Sequence, residues 1–371
     1  MATVCAKIQI YPDVMQSELL YKTMQQYSSA CNFVSRYIFE HKELGQKVLH
    51  KQMYNYLRET YGLASQMACS TFGTAIARYK SAKSNGHEWS AIKFKKPDCD
   101  LVWNRDYSIN KDLFSVNTLQ GRVKLKYQRK GMSKYFDGTW NFGTAKLVFR
   151  FDKWFLHIPM SRGLQELENS NVNNVVGVDL GINFLATTFN SKGQTKFFSG
   201  KEVKHVRGNY KATRKELQQK QTPSARKRIK LMGSRENRYM TDVNHQITKA
   251  LVDQYPKGTL FVLEDLSGVR NATEKVRVKN RYVSVSWAFY QFRQMLAYKS
   301  ILNGHKVICV NPRHTSQTCP KCGNGDRNNR NKETHTFCCK NCSYTSNDDR
   351  IGAMNLYRKG IEYLSDTEVV G

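Results

Sequence analysis

Four cysteines have the spacing of a metal site. Cys319 and Cys322 stand in CPKCG and Cys339 and Cys342 in CKNC, giving C-x2-C-x16-C-x2-C. Each C-x2-C pair can turn two sulfurs toward one ion, and the stretch between the pairs can close as a ribbon, so the pattern predicts a tetrahedral thiolate zinc site, with an iron–sulfur cluster as the alternative. Four protein ligands leave no open coordination position, which makes that zinc structural. Cys338 breaks the two-residue spacing to Cys342 and reads as a bystander. Carboxylates supply a second kind of chemistry. Asp179 follows the apolar run VVGV, Glu264 follows LFVL, and Asp348 and Asp349 stand side by side before what reads as a helix. A carboxylate at the end of a buried strand is costly unless a cation, a donor or water meets it. Ordinary turn chemistry beside Gly181 is the plain alternative for Asp179. At the second position Glu264 continues the strand directly, whereas Asp265 leads into a turn with Leu266 and Gly268, which favours Glu264.

The elements that must position these groups follow from periodicity. Val175–Val178 make a buried strand ending on Asp179, Phe184–Phe189 return, and NSKGQ turns the chain into a third strand. A meander with an acid on its first strand is how an RNase H-like sheet begins. In the last segment Gly352 and Ala353 follow Asp349 by three and four residues, so the small-residue face that can approach a sheet lies under Asp349, while Asp348 has Ile351 on that path. Earlier, Leu20, Met24, Tyr27, Cys31, Val34 and Ile38 mark one apolar face of a long helix, and the helical region runs to about Lys83. SNGHEW ends it. Short alternating runs follow, AIKFKK, RVKLKYQRK, AKLVFRF and KWFLHIPM, so Trp89–Met160 reads as mostly β, joined by a first strand near Ala6–Tyr11. The helices then form an insertion in a β-barrel. LQELENSNVNN, Leu164–Asn174, reads as a linker.

Charge narrows the partner class. Lys and Arg outnumber Asp and Glu 59 to 30, a formal net charge of +29, so the surface should attract polyanions and release counterions from phosphates. Residues 201–240 hold thirteen Lys and Arg against three Glu. With no matching acids as salt-bridge partners, phosphate contact is expected there, at positions such as Arg226 and Arg228. Lys95 and Lys96 beside Phe94 and Trp89 fit nucleic-acid contact and a lysine-guarded strand edge equally. The opening residues lack the apolar core of a signal peptide, no run approaches the ~18 apolar residues of a membrane span, and the cysteine clustering suits a reducing compartment. A cytoplasmic protein is the expectation. There is no Gly-rich phosphate loop, so no nucleotide cofactor is expected.

GVDLGINFLATTF, FVLEDLSG, HTSQTCPKCG and CKNCSYTSNDDRIGAMNL, in this order and spacing, resemble the split RuvC motifs of the transposon-encoded TnpB family, compact relatives of the type V CRISPR nucleases. The likeness covers roughly Val175–Arg358; the first half matches in layout more than in wording. It implies a multidomain α+β chain. A wedge-like β-barrel (1–14 and 87–163) would carry an inserted helical lobe (15–86), and a linker (164–174) would lead to an RNase H-like RuvC α/β domain (175–312). An inserted zinc ribbon (313–345) would precede the last motif helix and tail (346–371). The resemblance also implies an RNA-guided DNA endonuclease. A noncoding RNA from the transposon end would be held by the basic surfaces, its guide would pair with one DNA strand, and the protein would read a short flanking motif. Asp179, Glu264 and a third acid would hold two Mg²⁺ ions, one activating water and one stabilising the leaving 3′ oxygen. Family members usually read Asp-x-Asn-Ala-Ala-x-Asn at the third position. DRIGAMN keeps the Asp, one Ala and the last Asn, which selects Asp349, while Ile351 and Gly352 depart from the pattern. YGLASQMACSTFGTAIARYK looks similar to the family's helix that approaches DNA, implying contacts from Tyr54, Gln66, Ser70 and Lys80; core packing is the plain alternative for Tyr54.

Other functions fit part of the pattern. A nuclease-dead RNA-guided DNA-binding regulator would share the fold and charge but usually lacks one or more acids. An RNA-independent DNA transposase would use a similar acid set for strand transfer and bind transposon-end DNA directly. A zinc-ribbon structural or ribosomal protein accounts for the cysteines and charge but not for the three acids. Co-purification with a discrete RNA separates the guided readings from the others.

Overall fold

The computed structural model describes residues 2–110, 113–129, 131–266, 289–331 and 333–368. Thr3–Gly163 form one compact unit and Leu164 onward, with the first residues, the other.

In the first unit alternation makes β1 (Ala2–Tyr11), where Ala6, Ile8 and Ile10 are buried and Cys5 and Lys7 exposed. It joins β2 (Cys99–Leu101), β3 (Tyr107–Ile109), β4 (Leu113–Thr118), β5 (Gly121–Gln128), β6 (Asn141–Phe142), β7 (Ala145–Arg150) and β8 (Lys153–Arg162). The nearly closed sheet has the order β2-β7-β8-β1-β5-β4-β3, with β6 on β8. Three helices are inserted after β1: α1 (Val14–His41), α2 (Gln46–Tyr61) and α3 (Ser65–Ser84). Asp13 starts α1 through a capping box, in which its Oδ1 accepts the Gln16 N–H at 2.8 Å and the Gln16 side chain accepts the Asp13 N–H at 3.1 Å. Leu20, Met24, Tyr27, Cys31, Val34 and Ile38 are all buried along one face of α1.

AIKFKK is not a strand, contrary to its alternation. Its backbone groups are taken by side chains of α1 and α3 instead of a neighbouring strand. Asn32 accepts the Phe94 N–H at 2.7 Å and donates to the Phe94 carbonyl at 3.2 Å, and Ser35 donates to the Ile92 carbonyl at 2.6 Å. The Tyr79 hydroxyl accepts the Ile92 N–H at 3.3 Å. These bonds satisfy the backbone as a ladder would, and they keep the period of two: Ile92 and Phe94 are half-buried while Lys93, Lys95 and Lys96 are exposed. Trp89 belongs to the same seam, its indole donating to the Phe39 carbonyl at 3.1 Å.

The second unit is built on β9 (Asn174–Asp179), β10 (Phe184–Asn190), β11 (Thr195–Ser199), β12 (Thr259–Glu264) and β13 (Lys306–Val310), in the order β11-β10-β9-β12-β13. β12 pairs in parallel with both β9 and β13, and β10 runs antiparallel to β9 and β11. Helices α4 (Lys201–Lys220), α5 (Pro223–Gln254), α6 (Phe289–Leu302) and α7 (Asp348–Glu368) accompany the sheet. Alternation assigns the faces. Val176, Val178, Phe261 and Leu263 pack with Leu251 of α5 and Phe292 and Leu296 of α6, whereas Val175, Leu260 and Val262 pack with Leu356 of α7. Gly177 lies on the α7 face. A Cβ there would stand 2.0 Å from the Ala353 carbonyl oxygen and 2.5 Å from the Tyr357 nitrogen, so the helix backbone rests directly on the strand. Gly360 repeats the contact from the helix side, where a Cβ would meet the Val262 side chain at 2.5 Å. A small three-stranded sheet, β14 (Arg330–Asn331), β15 (Thr336–Cys338) and β16 (Thr345–Asn347), precedes α7. Ser267 and Gly268 of the FVLEDLSG motif lie outside the described residues.

Because backbone cannot rotate away from a new methyl group, Gly177→Ala should force α7 off β9. The expected loss is about 1–3 kcal/mol or more, read as a lower denaturant midpoint. Gly233→Ala, with nothing within 4 Å of its added Cβ, should cost nothing and serves as the control.

Candidate active site and metal centre

The register that builds the sheet also gathers the acids. Val178 pairs with Leu263 in the parallel β9–β12 ladder, so Asp179 and Glu264 leave the carboxyl ends of adjacent strands side by side. Both follow the alternation of Val175, Gly177 and Val262, which puts them on the α7 face. Asp349 sits in the first turn of α7. One turn on, Gly352 touches Asp179: an added Cβ would lie 2.9 Å from the Asp179 carboxyl carbon. A Cβ on Gly181 would stand 3.8 Å from Asp349 Oδ1, which places the third acid over the turn that follows β9.

Burial raises the affinity of all three carboxylates for protons. Burial first, then the charges of Glu264 and Asp349, hold Asp179 well above the usual carboxylate range. Burial and the neighbouring Asp348 push Asp349 up. Burial also raises Glu264, opposed by a hydrogen bond from the Thr315 hydroxyl to its Oε1. Arg330 pulls all three down, helped by Lys359 at Glu264 and by His335 and Lys204 at Asp349. Among the described residues none of the three forms an ion pair. Close, desolvated carboxylates that resist ionising without a counter-charge suit divalent cations with oxygen ligands.

Asp348 has a different task. It is buried, accepts from Arg330 Nε at 2.8 Å and lies 3.5 Å from His335 Nδ1. Its Oδ1 also accepts the Asp349 N–H at 3.0 Å, so it fixes the start of α7 against the small sheet. Asp265 is exposed and faces Arg293 at 3.4 Å.

Sequence reasoning missed Thr315 and Arg330. Thr315 is buried and is held by Asn355 of α7, whose Nδ2 donates to the carbonyls of Thr315 at 2.7 Å and Thr318 at 2.8 Å. Thr315 stands in HTSQTC and Asn355 ends DRIGAMN, so both motifs were visible, but only the fold joins them.

All four sulfurs of Cys319, Cys322, Cys339 and Cys342 lie within 4.8 Å of one another. Cys319 Sγ is 3.6 Å from Cys342 Sγ and Cys322 Sγ is 3.5 Å from Cys339 Sγ. A tetrahedron with Zn–S bonds of ~2.3 Å has edges of ~3.8 Å, so the quartet fits such an ion. The two knuckles share one backbone design. Gly323 N–H returns to the Cys319 carbonyl at 2.9 Å and Ser343 N–H to the Cys339 carbonyl at 2.9 Å, both residues having positive φ. Phe337 and Ile351 complete the core around Cys319 and Cys339, with Ile351 contributed by α7. Cys338 is exposed and outside the quartet.

The nucleic-acid candidates fare unevenly. Arg226 and Arg228 on α5 are exposed. The basic run does have an acid partner, contrary to expectation: buried Glu236 accepts from Arg207 at 3.5 Å and from Arg214, tying α4 to α5. Sequence distance concealed this pairing. Gln66, Ser70 and Lys80 share one face of α3, Lys80 being exposed and Gln66 accepting from Arg105 at 2.7 Å. Tyr54 stands on α2, half-buried, stacked on His50 at 4.6 Å and within 3.4 Å of Arg58 Nη1.

A mixed α/β chain with a nearly closed β-barrel sheet, a cysteine quartet able to hold a metal ion and a cluster of carboxylates is the class defined so far. Two family models match it, one described as a probable transposase (OrfB of IS605) over residues 157–273 and one as a Cas12f1-like TNB domain over residues 289–356. Over these two regions the chain is similar to OrfB-type and Cas12f1-like proteins. It is 26% identical over 251 residues to the CRISPR-associated endodeoxyribonuclease Cas12f1 of Syntrophomonas palmitatica, covering 63% of this chain and 49% of that one. It is 28% identical over 255 residues to the protein of the same name from Sulfoacidibacillus thermotolerans, 63% of this chain and 57% of the relative. With the TnpB-like protein MJ0751 of Methanocaldococcus jannaschii the identity is 26% over 63% of this chain and 83% of the relative. The chain thus spans about half the length of the two Cas12f1 relatives. Among solved structures, a Cas12f1–sgRNA–target DNA complex shares the fold with a TM-score of 0.65 at 14% identity, over 93% of this chain and 83% of that one. The mini-RNA-guided endonuclease CRISPR-Cas_phi3 does so with a TM-score of 0.58 at 12% identity, over 96% and 92%. Among the described residues no helix is long and apolar enough to cross a membrane.

Elemental analysis of the purified protein should find a single zinc ion per chain. Cys339→Ser should lose it, with a fall in stability of several kcal/mol, because metal binding by such knuckles is itself folding free energy.

Proposed function

We propose that this chain is an RNA-guided DNA endonuclease that hydrolyses phosphodiester bonds at an RNase H-like RuvC site. One observation carries the reading: Asp179, Glu264 and Asp349, drawn from two parallel strands and a helix, meet at the carboxyl ends of the interior strands β9 and β12 in a chain of net charge +29. The strand order β11-β10-β9-β12-β13 supports it, as do relatives named endodeoxyribonucleases and a fold neighbour solved with guide RNA and target DNA. Two Mg²⁺ ions held by the three acids would supply an activated water and stabilise charge on the leaving 3′ oxygen.

The protein's own groups prepare that chemistry. Thr315 orients Glu264 and keeps it ionisable, Asn355 holds Thr315, and Arg330, fixed by Asp348, offers positive charge to a substrate phosphate. The cysteine quartet would hold a structural zinc that keeps the ribbon, and with it Arg330, on α7. Exposed Lys95, Lys96, Arg226 and Arg228 would contact phosphates of a noncoding guide RNA or the double-stranded target, and Tyr54, Gln66, Ser70 and Lys80 the short flanking motif. Three facing acids favour cleavage over a nuclease-dead regulator, and the likeness to guided nucleases favours RNA guidance over an RNA-independent transposase. The place of action would be the cytoplasm, on DNA.

With RNA-loaded protein and a matched plasmid, Asp179→Ala, Glu264→Gln and Asp349→Asn should each slow cutting about a thousandfold or more, the scale of several kcal/mol of lost transition-state stabilisation, while guided DNA binding persists. Asp348→Asn should still cut. Full cutting by Asp179→Ala would sink the reading. Thr315→Val removes the bond that lowers Glu264's proton affinity, so the acid limb of the pH–rate profile should move to higher pH; Thr315→Ser should leave it in place.

A further inference from the structure

The α4–α5 hairpin carries a second concave surface, apart from the acids. Leu217, Ala225 and Met232 form its core, with Tyr210 and Ile229 packed against them. Beside this core a groove of about 650 Å³ opens, bordered by Tyr210, Leu231 and Met232 and by Lys227, Arg228 and Arg235. That size lies within the ~300–1,000 Å³ range of sites that take small organic groups. Leu231 is 42% exposed, an apolar side chain set among cations.

Charge in the hairpin is sorted. Glu236 pairs with Arg207 and Arg214 on the inside, whereas the side chains of Lys227, Arg228 and Arg235 are exposed and, among the described residues, make no hydrogen bond or ion pair with the protein. A merely solvated basic face needs no apolar floor. A groove for an apolar protein segment gains nothing from three cations without acids, because charged groups are depleted at the centres of such contacts. An apolar floor with an aromatic ring, ringed by cations, instead matches a nucleotide: a flat base for the floor and phosphates for the rim.

We propose that this groove takes an unpaired nucleotide of bound RNA, its base against Tyr210 and Leu231 and its flanking phosphates on Lys227, Arg228 and Arg235. Sequence-bearing contacts to RNA are made mostly on bases splayed out of single strands, and the 2′-hydroxyl both donates and accepts. Asn209, Thr213 and Ser224 border the same groove and supply the side-chain partners that such a hydroxyl can use. The inference rests on the RNA-binding part of the function above and not on cleavage.

The test uses full-length protein, Leu231→Glu, the milder Leu231→Gln, and Arg228→Ala combined with Arg235→Ala. The exposure of all three positions makes loss of the fold no part of the expected result, and thermal melts check this. Anisotropy titrations compare short oligoadenylate RNA, the same RNA with abasic substitutions, and the matching oligodeoxyadenylate. Both Leu231 variants should weaken RNA binding, Leu231→Glu by about tenfold or more, weaken DNA binding less, and abolish the difference between intact and abasic RNA. The paired arginine variant should flatten the salt dependence of log K by about 1–2. Unchanged RNA affinity in both Leu231 variants, an equal or larger loss on DNA, or abasic sensitivity that survives in Leu231→Glu would overturn the proposal. Guided cleavage measured on the same preparations at saturating RNA separates the two readings. Base-dependent binding without cutting refutes the endonuclease alone, and guided cutting with unaltered RNA binding by the Leu231 variants refutes the groove alone.

Discussion

Backbone-on-backbone contact between α7 and β9 is the constraint on which the rest of this unit depends. Gly177 leaves no Cβ where the Ala353 carbonyl and the Tyr357 nitrogen must pass, and Gly352 leaves none where the Asp179 carboxyl lies. Closer approach than ordinary helix-on-sheet packing brings an acid from the first turn of α7 to acids on strand ends. The same helix also completes the ribbon core through Ile351, fixes Arg330 through Asp348 and holds Thr315 through Asn355. One close contact thus ties the cysteine ribbon to the carboxylates.

The electrostatics follow from that closeness. Three desolvated acids near one another resist ionising together, and the cations around them, Arg330, Lys359, Lys204 and His335, only partly offset the repulsion. A group of this kind is poorly suited to a purely structural role, since apolar residues of similar shape would pack at lower cost. Its presence in a strongly basic chain is coherent chemically. On the proposed function, surface cations would gather a polyanion and the acids would hold the ions that act on it.

Where sequence reasoning failed, it failed for lack of partners. AIKFKK has the alternation of a strand, and its side chains do alternate, yet Asn32, Ser35 and Tyr79 bond its backbone before any strand can. The run 201–240 reads as lacking acids matched to its cations, but burial between α4 and α5 makes Glu236 the shared partner of two arginines. Asp348 and Asp349 were separable in part, because helical spacing put small residues beneath Asp349; the bond from Arg330 to Asp348 shows what the other acid does.

By itself the sequence determined the local facts. Cysteine spacing fixes which thiols can share an ion, alternation fixes which face of a strand is covered, and small residues at helical spacing mark a helix that approaches closely. These are properties of neighbours along the chain, and covalent geometry carries them. Only the tertiary structure decided the pairings across distance: Thr315 on Glu264, Arg330 on Asp348, Arg207 and Arg214 on Glu236, and Gly352 against Asp179. Such contacts depend on strand register and on helix docking, and no local pattern encodes which distant side chain will arrive.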